Sequence, residues 1–390
     1  MFFTGTLYGI TFLITIIFSI IYQRKDNENN KLINGLLILG IILPLVLIAA
    51  LRYNVGIDYG EYYKAYKIIM EKKSIKLLFT YYSREPLFVL ATYIGGFLDI
   101  FNNSIPVFAV YSLIFVGFIF SGIKYFKDKI SVPLAMFIFC MTYYLVSLSL
   151  VRQMMAVAIV FWNFRNILDK KPIKYLIFTV IAGMFHKTAY IMIFLYLLNY
   201  KINSRKINKI YYILIVLSPI LIYPAYKIIK FIINITGIYS EYLELVPEIS
   251  LTFLLYVIPI LVILTINKKE ILKLDSRYEI LFRILYMQIP IQLLGCFIST
   301  IDRLALYFGI FQIIAIPLIL KINFNNKLDN KYLSKLPVKV QNCCKNLYVK
   351  LNNEKIWKII IISWYIFYFV VMYLILNSNG VFPYQTILLK

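Results

Sequence analysis

Residues 173–200 read IKYLIFTVIAGMFHKTAYIMIFLYLLNY. A helix rises ~1.5 Å per residue and bilayer hydrocarbon is ~30 Å thick, so about 20 apolar residues cross it once. These 28 residues are too many for one upright crossing and too few for two. Lysines flank both ends, KKPIK at 170–174 and KINSRKINK at 201–209, and basic flanks belong on the cytoplasmic side. Both ends therefore ask for the same side. A broken or re-entrant helix pair turning near GMFHK satisfies length and charge together. The turn then holds His186, the only histidine of the chain, beside Lys187. Irregular backbone at membrane depth is stable only where it is buried in protein or lines a wet cavity.

The rest of the chain has the same character. Of its 390 residues 61% are hydrophobic and only 15% charged, and the mean hydropathy is +0.79. A soluble domain is nearer half apolar and a quarter charged, so the sequence predicts an all-α integral membrane protein. The net charge of +23 lies mostly between apolar runs. That placement points to topology and anionic lipid, with no nucleic acid as partner. Cys140 and Cys296 fall in apolar runs and Cys343 and Cys344 adjoin in a Lys-rich segment, without metal-ligand spacing. The first run lacks a basic start and carries its positive charge after it, which reads as a retained span beginning outside.

About 12 transmembrane helices are expected, on residues 3–22, 32–51, 87–101, 105–123, 132–148, 154–168, 173–200, 210–233, 251–266, 280–298, 304–320 and 356–376. They make one polytopic domain over 1–390, with residues 321–355 as a basic cytoplasmic loop. That loop reads as held to anionic lipid, and docking of a chain-length regulator is the sharper alternative. Residues 236–250, with three glutamates and no basic residue, suit the outside. Residues 52–101 resist the alternation. If Arg52 is outside and the run at 87–101 crosses fully, the basic KYFKDK of 124–129 ends on the wrong face.

Charged groups at span ends or within spans are costly and mark function. They are Arg52 with Asp58, Arg84 with Glu85, Arg152 with Gln153, His186 with Lys187, and Asp302 with Arg303, which has Tyr307 one turn on. Each has a plainer reading. Arg152 fits headgroup-level snorkelling, Asp302 and Arg303 a structural pair, and Glu85 before Pro86 a helix start. A lone histidine is also readily a satisfied interior residue. Together, several arginines with one ring that titrates near neutrality suit a phosphate-bearing lipid substrate. Arginine forks match phosphate oxygens, and a pyrophosphate leaving group needs charge stabilisation rather than protonation. One histidine and no cluster of acids cannot build a zinc site. No nucleotide-binding or nucleophile-elbow motif occurs, so no cofactor is expected.

In order, RYNVGIDYGEYY (52–63), REPLF (84–88), LVRQMMAVAI (150–159), AGMFHKTAY (182–190), IDRLALYF (301–308) and FPYQTILL (382–389) resemble the EpsG family of Wzy-like polysaccharide polymerases. The resemblance implies a fold like that of class C glycosyltransferases, which use polyprenyl-linked donors. It implies an enzyme of the bacterial cytoplasmic membrane that joins repeat units carried on undecaprenyl pyrophosphate at its outer face. Lipid-linked oligosaccharide would be both donor and acceptor. Arg52, Arg152 and Arg303 would then contact pyrophosphate and sugar, with Arg84, Glu85, Gln153, Asp302 and Tyr307 beside them. Asp58 or His186 would be the base. A flippase for the lipid-linked unit and a membrane acyltransferase stay open beside this reading. Against the second stands that His186 has no acid near it in sequence.

Overall fold

A backbone inside hydrocarbon must satisfy its own hydrogen bonds, which leaves helices as the economical solution for an apolar chain. The computed structural model describes residues 2–24, 30–72, 74–200, 204–236, 252–298, 300–322 and 353–389. Every regular element among them is helical, and the one extended pairing is an isolated bridge between Arg52 and Thr386. In chain order the helices are α1 (Phe2–Arg24), α2 (Lys31–Leu51), α3 (Tyr59–Lys72), α4 (Ile75–Tyr81), α5 (Pro86–Phe97), α6 (Ile105–Tyr125), α7 (Val132–Ser149) and α8 (Val151–Leu168). They continue as α9 (Pro172–Phe185), α10 (Lys187–Asn199), α11 (Arg205–Thr236), α12 (Thr252–Leu274), α13 (Glu279–Tyr286), α14 (Gln288–Gly295), α15 (Ile301–Lys321) and α16 (Glu354–Ile375).

Seven of these, α1, α2, α6, α7, α11, α15 and α16, are long and apolar enough to cross a membrane. The twelve runs read from the sequence do not all become full-length helices. The run at 87–101 becomes the 12-residue α5, and 280–298 is divided into the eight-residue α13 and α14. Helix α8 is long but polar-punctuated by Arg152, Gln153, Asn163, Arg165 and Asn166. It is also buried on nearly all sides between α6, α9 and α10, as a central helix should be. The basic segment 321–355 lies outside the described residues except at its ends, and the acidic 236–250 stretch except at Thr236.

Contacts sort the helix ends into two groups. At one end Gln23 donates to the Ile130 carbonyl at 2.9 Å and accepts from the Val132 amide at 3.0 Å, and Tyr125 donates to Asp169 at 2.8 Å. This end carries Arg24, Lys124, Lys129 and Lys171. At the other end Arg52 reaches the Leu148 carbonyl at 2.6 Å, and the Tyr53 amide donates to the Gln385 carbonyl at 2.8 Å. The Tyr384 amide there donates to Thr4 at 3.0 Å. Residues 53–104 leave this Arg52 end and return to it. Helix α5 does not traverse the bundle. It lies antiparallel against the first half of α6, with Thr92 and Tyr111 hydroxyls 2.5 Å apart and Gly95 closed onto the Val107 backbone. The conflict in alternation disappears, because α6 starts beside Arg52 and delivers KYFKDK to the Arg24 end.

The 173–200 run does break at His186, whose backbone is extended (φ −154°, ψ 119°). Helices α9 and α10 fold back on each other as a hairpin. Tyr175 donates to the Met192 carbonyl at 2.6 Å, and Gly183 is the glycine that lets the Tyr190 ring lie against α9, since an added Cβ would collide with it. The start of α9 and the second half of α10 thus lie side by side.

Candidate functional site

Three elements that are distant in sequence meet at the hairpin turn. Pro86 starts α5 with its fixed φ and leaves Glu85 as the preceding cap, its side chain unused by the helix. Leu150 breaks the chain between α7 and α8 (φ −91°, ψ 54°), which puts Arg152 in the first turn of α8. His186 ends α9. The Glu85 carboxylate bridges the other two. Its Oε2 accepts from Arg152 Nη1 at 2.5 Å and its Oε1 lies 2.7 Å from His186 Nδ1. The Lys187 amide adds a longer bond to Oε1 at 3.3 Å. Glu85 is 5% exposed, while Arg152 and His186 keep 29% and 18%. The acid is therefore the buried hub, and its two partners are more exposed than it is.

The electrostatics follow from that geometry. Burial pushes the Glu85 carboxyl up, but the hydrogen bond from His186 and the charge of Arg152 outweigh it and hold the group below its ordinary value. Burial pushes the Arg152 guanidinium down, and Glu85 more than offsets it, so its pKa stands above the ordinary value. Arg152 also lies over the Tyr82 and Phe88 rings at 5.1 and 5.6 Å. Its Nε is buried without a partner. His186 uses only Nδ1, and no described residue engages its Nε2. The cluster thus has hydrogen-bonding capacity to spare.

Beside it lies a cavity of about 240 Å³. Asp58, Asp302 and Arg303 line it, together with Gln288, Gln292 and Gln312. Tyr143 enters it from a π-turn over Cys140–Tyr144 within α7, and π-turns are frequent at functional sites. Gln312 donates to Tyr143 at 2.5 Å and accepts from Tyr365 at 2.6 Å. Two bonds tie cluster to cavity. Gln153 donates to the Arg303 carbonyl at 2.8 Å, and the Thr188 and Tyr307 hydroxyls are 3.0 Å apart.

Arg52 stands apart in kind. It is 2% exposed, caps the carbonyl that the α7 break leaves open, and lies over Phe108 at 4.7 Å. Gly56, at φ +97°, presses against the same Leu148 carbonyl, where a Cβ would not fit. Arg52 therefore holds the floor of the site together. Arg84 is exposed and joins nothing in the cluster. Asp302 and Arg303 are exposed and make no ion pair with each other among the described residues. Among those residues no three His, Cys, Asp or Glu side chains gather as a metal site.

The family model of EpsG matches residues 35–339. The chain belongs to the EpsG family. EpsG-family proteins are Wzy-like polysaccharide polymerases, which makes this chain a multi-pass membrane polysaccharide polymerase. No curated protein and no solved structure matches it. The EpsG match encloses every residue of the cluster, whereas α16 and the C-terminal segment that bridges to Arg52 lie beyond it.

Two features of this EpsG-family site escape a linear reading. The acid of His186 is 101 residues away, so the lack of a nearby acid in sequence carried no weight against an acyltransferase. The family decides between those readings. The buried glutamines were also passed over, although Gln288 and Gln292 stand at i and i+4 in the apolar run YMQIPIQLL and therefore share a helix face.

Proposed function

We propose that the protein extends a surface polysaccharide by joining oligosaccharide units carried on undecaprenyl pyrophosphate, at the outer face of the bacterial cytoplasmic membrane. The observation that carries this reading is the single carboxylate of Glu85 holding Arg152 and His186 together, with donors still open on both. Arg152 binds the pyrophosphate of the donor. Its charge is secured by Glu85, and a guanidinium matches phosphate oxygens as a fork. His186 is the base. Glu85 fixes Nδ1 as the proton-bearing nitrogen and leaves Nε2 to accept, in the manner of an acid-oriented histidine.

In the reaction the acceptor hydroxyl gives its proton to His186 Nε2, and its oxygen bonds to the anomeric carbon of the donor. The carbon–oxygen bond to the pyrophosphate breaks, and undecaprenyl pyrophosphate leaves with the electron pair. Both Glu85 oxygens are taken by Arg152 and His186. The fixed guanidinium of Arg152 therefore supplies the stabilisation of the leaving group, and the step is assigned without a metal. Arg52 and Gln153 are positioning residues, and Asp58, Asp302, Arg303 and Tyr307 border the sugar.

The outer-face assignment rests on charge. The opposite end gathers Arg24, Lys124, Lys129, Lys171, Arg205 and Arg277, the composition of a cytoplasmic surface. The α9–α10 hairpin then re-enters from the cytoplasmic side and stops at the site. The whole chain acts as one polytopic domain, with its basic 321–355 segment against anionic lipid. Arg152→Ala and His186→Ala are each expected to leave the protein inserted while long polysaccharide disappears and single repeats are still exported. Wild-type chain lengths in both variants would overturn the assignment.

A further inference from the structure

The cavity beside the cluster has a composition unlike either part of a lipid pyrophosphate. Its charged lining is Asp58 and Asp302 against the single Arg303. That balance is net negative, and none of the three is neutralised by an ion pair among the described residues. A diphosphate would be repelled from such a lining. A prenyl chain fits no better, because Gln288, Gln292 and Gln312 are each less than 9% exposed and face the same space. The Gln288 side-chain oxygen has no partner among the described residues, and hydrocarbon against it would leave that acceptor unmet. Carboxamides offer a donor and an acceptor side by side, which suits neighbouring hydroxyls. Trp364, Tyr365 and Tyr368 on α16 close the other wall with aromatic surface. Apolar ring faces with hydroxyls around an edge are the chemistry of a pyranose.

We infer that this cavity is a subsite for one uncharged sugar ring, read by Gln288 and stacked on Trp364, and that Asp58 and Asp302 exclude acidic sugars from it. The inference rests on the polymerase reading for its biological sense, but binding in the cavity does not require turnover. Gln312 is committed to Tyr143 and Tyr365 and shapes the wall. Gln288 spends only its amide on the Leu285 carbonyl, at 3.0 Å. Gly309 keeps the entrance to Gln288 open, because a Cβ there would lie 2.7 Å from both Gln288 Oε1 and the Tyr143 hydroxyl.

The chain has three tryptophans. A full-length variant with Trp162→Phe and Trp357→Phe leaves Trp364 as the sole indole reporter. It is titrated in detergent with methyl glycosides of glucose, galactose, N-acetylglucosamine and glucuronic acid, with inorganic pyrophosphate, and with farnesyl phosphate. A saturable change in Trp364 emission is expected with at least one neutral glycoside, at least about tenfold weaker in Gln288→Leu, the scale of one lost hydrogen bond to a buried group. Glucuronoside and pyrophosphate are expected to be silent. Asp302→Asn, at an exposed position that does not threaten folding, is expected to admit the glucuronoside. Saturation by pyrophosphate or farnesyl phosphate alone, or silence with every glycoside, would overturn the inference. If Arg152→Ala and His186→Ala keep long polymer while the glycosides still bind, the catalytic assignment fails and the subsite stands.

Discussion

Two buried glutamates hold cations at opposite ends of the bundle, and they differ in what is left over. At the Arg24 end Glu279 accepts from Lys268 at 2.9 Å and from Tyr212 at 2.5 Å. Nearby, Arg283 donates to the Leu198 and Tyr200 carbonyls at 2.6 and 2.9 Å and to Asn208 at 2.9 Å. Those groups cap the end of α10 and the start of α11, so the network closes on the protein itself. Glu85 is buried to the same degree as Glu279, yet its partners remain open. Arg152 has an unpartnered Nε and His186 a free Nε2, beside a cavity. Burial and ion pairing alone do not separate structure from function here. Unused hydrogen-bonding capacity does.

The contrast can be broken most forcefully by deleting one cation from each network. Arg152→Ala or His186→Ala is expected to lower polymer formation by about 10²–10⁴-fold, the range for losing charge stabilisation or a general base. Size-exclusion profiles should stay monodisperse. Arg283→Ala removes the donor to three part-buried acceptors and is expected to cost about 1–3 kcal/mol of stability. The Arg283→Ala protein that does fold should polymerise normally. Equal loss of folded protein in both variants would erase the distinction.

A subtler probe is Glu85→Gln, which keeps the shape and removes the charge. The folded carboxyl lies below its ordinary value. A depressed carboxyl stabilises the fold above its unfolded value, and the gain is lost as pH falls through the folded one. Melting temperatures of wild type and Glu85→Gln should therefore differ by a constant amount near neutral pH and converge only in acid, below the ordinary carboxylate range. A gap that widens on acidification would contradict the ion-pair account.

Smaller effects sort the remaining polar residues. Asp58 borders the cavity with no side-chain hydrogen bond or ion pair among the described residues, and Asp58→Asn is expected to slow polymerisation about tenfold, as loss of one substrate hydrogen bond does. A loss equal to that of His186→Ala would make Asp58 the base instead. Exposed Arg84→Ala should stay within about twofold of wild type in chain-length assays, in keeping with surface substitutions.

How much of this was legible depends on distance along the chain. The spans of α1, α2 and α6 follow from predominantly apolar runs that become helices of 21–23 residues, and the break at His186 follows from a run of the wrong length. Both are local properties. The shortness of α5 is not, because it is set by the close approach of Gly95 to Val107 on the next helix. Nor is the hub visible in REPLF, where Pro86 explains Glu85 as a helix start and hides its contact with a histidine 101 residues on. The sequence placed Arg52 and Arg152 in one class. Packing separates them, the first capping a carbonyl in the interior and the second paired with Glu85 and partly exposed.

The central claim is that Arg152 and His186 work as one unit through Glu85, and a double-mutant cycle on polymerisation rate tests it most directly. Groups that act together lose their effect together. The double variant Arg152→Ala/His186→Ala is predicted to be no slower than the worse of the two single variants. A double variant slower by the product of the two single losses would show two independent contributions, and the shared site would have to be abandoned.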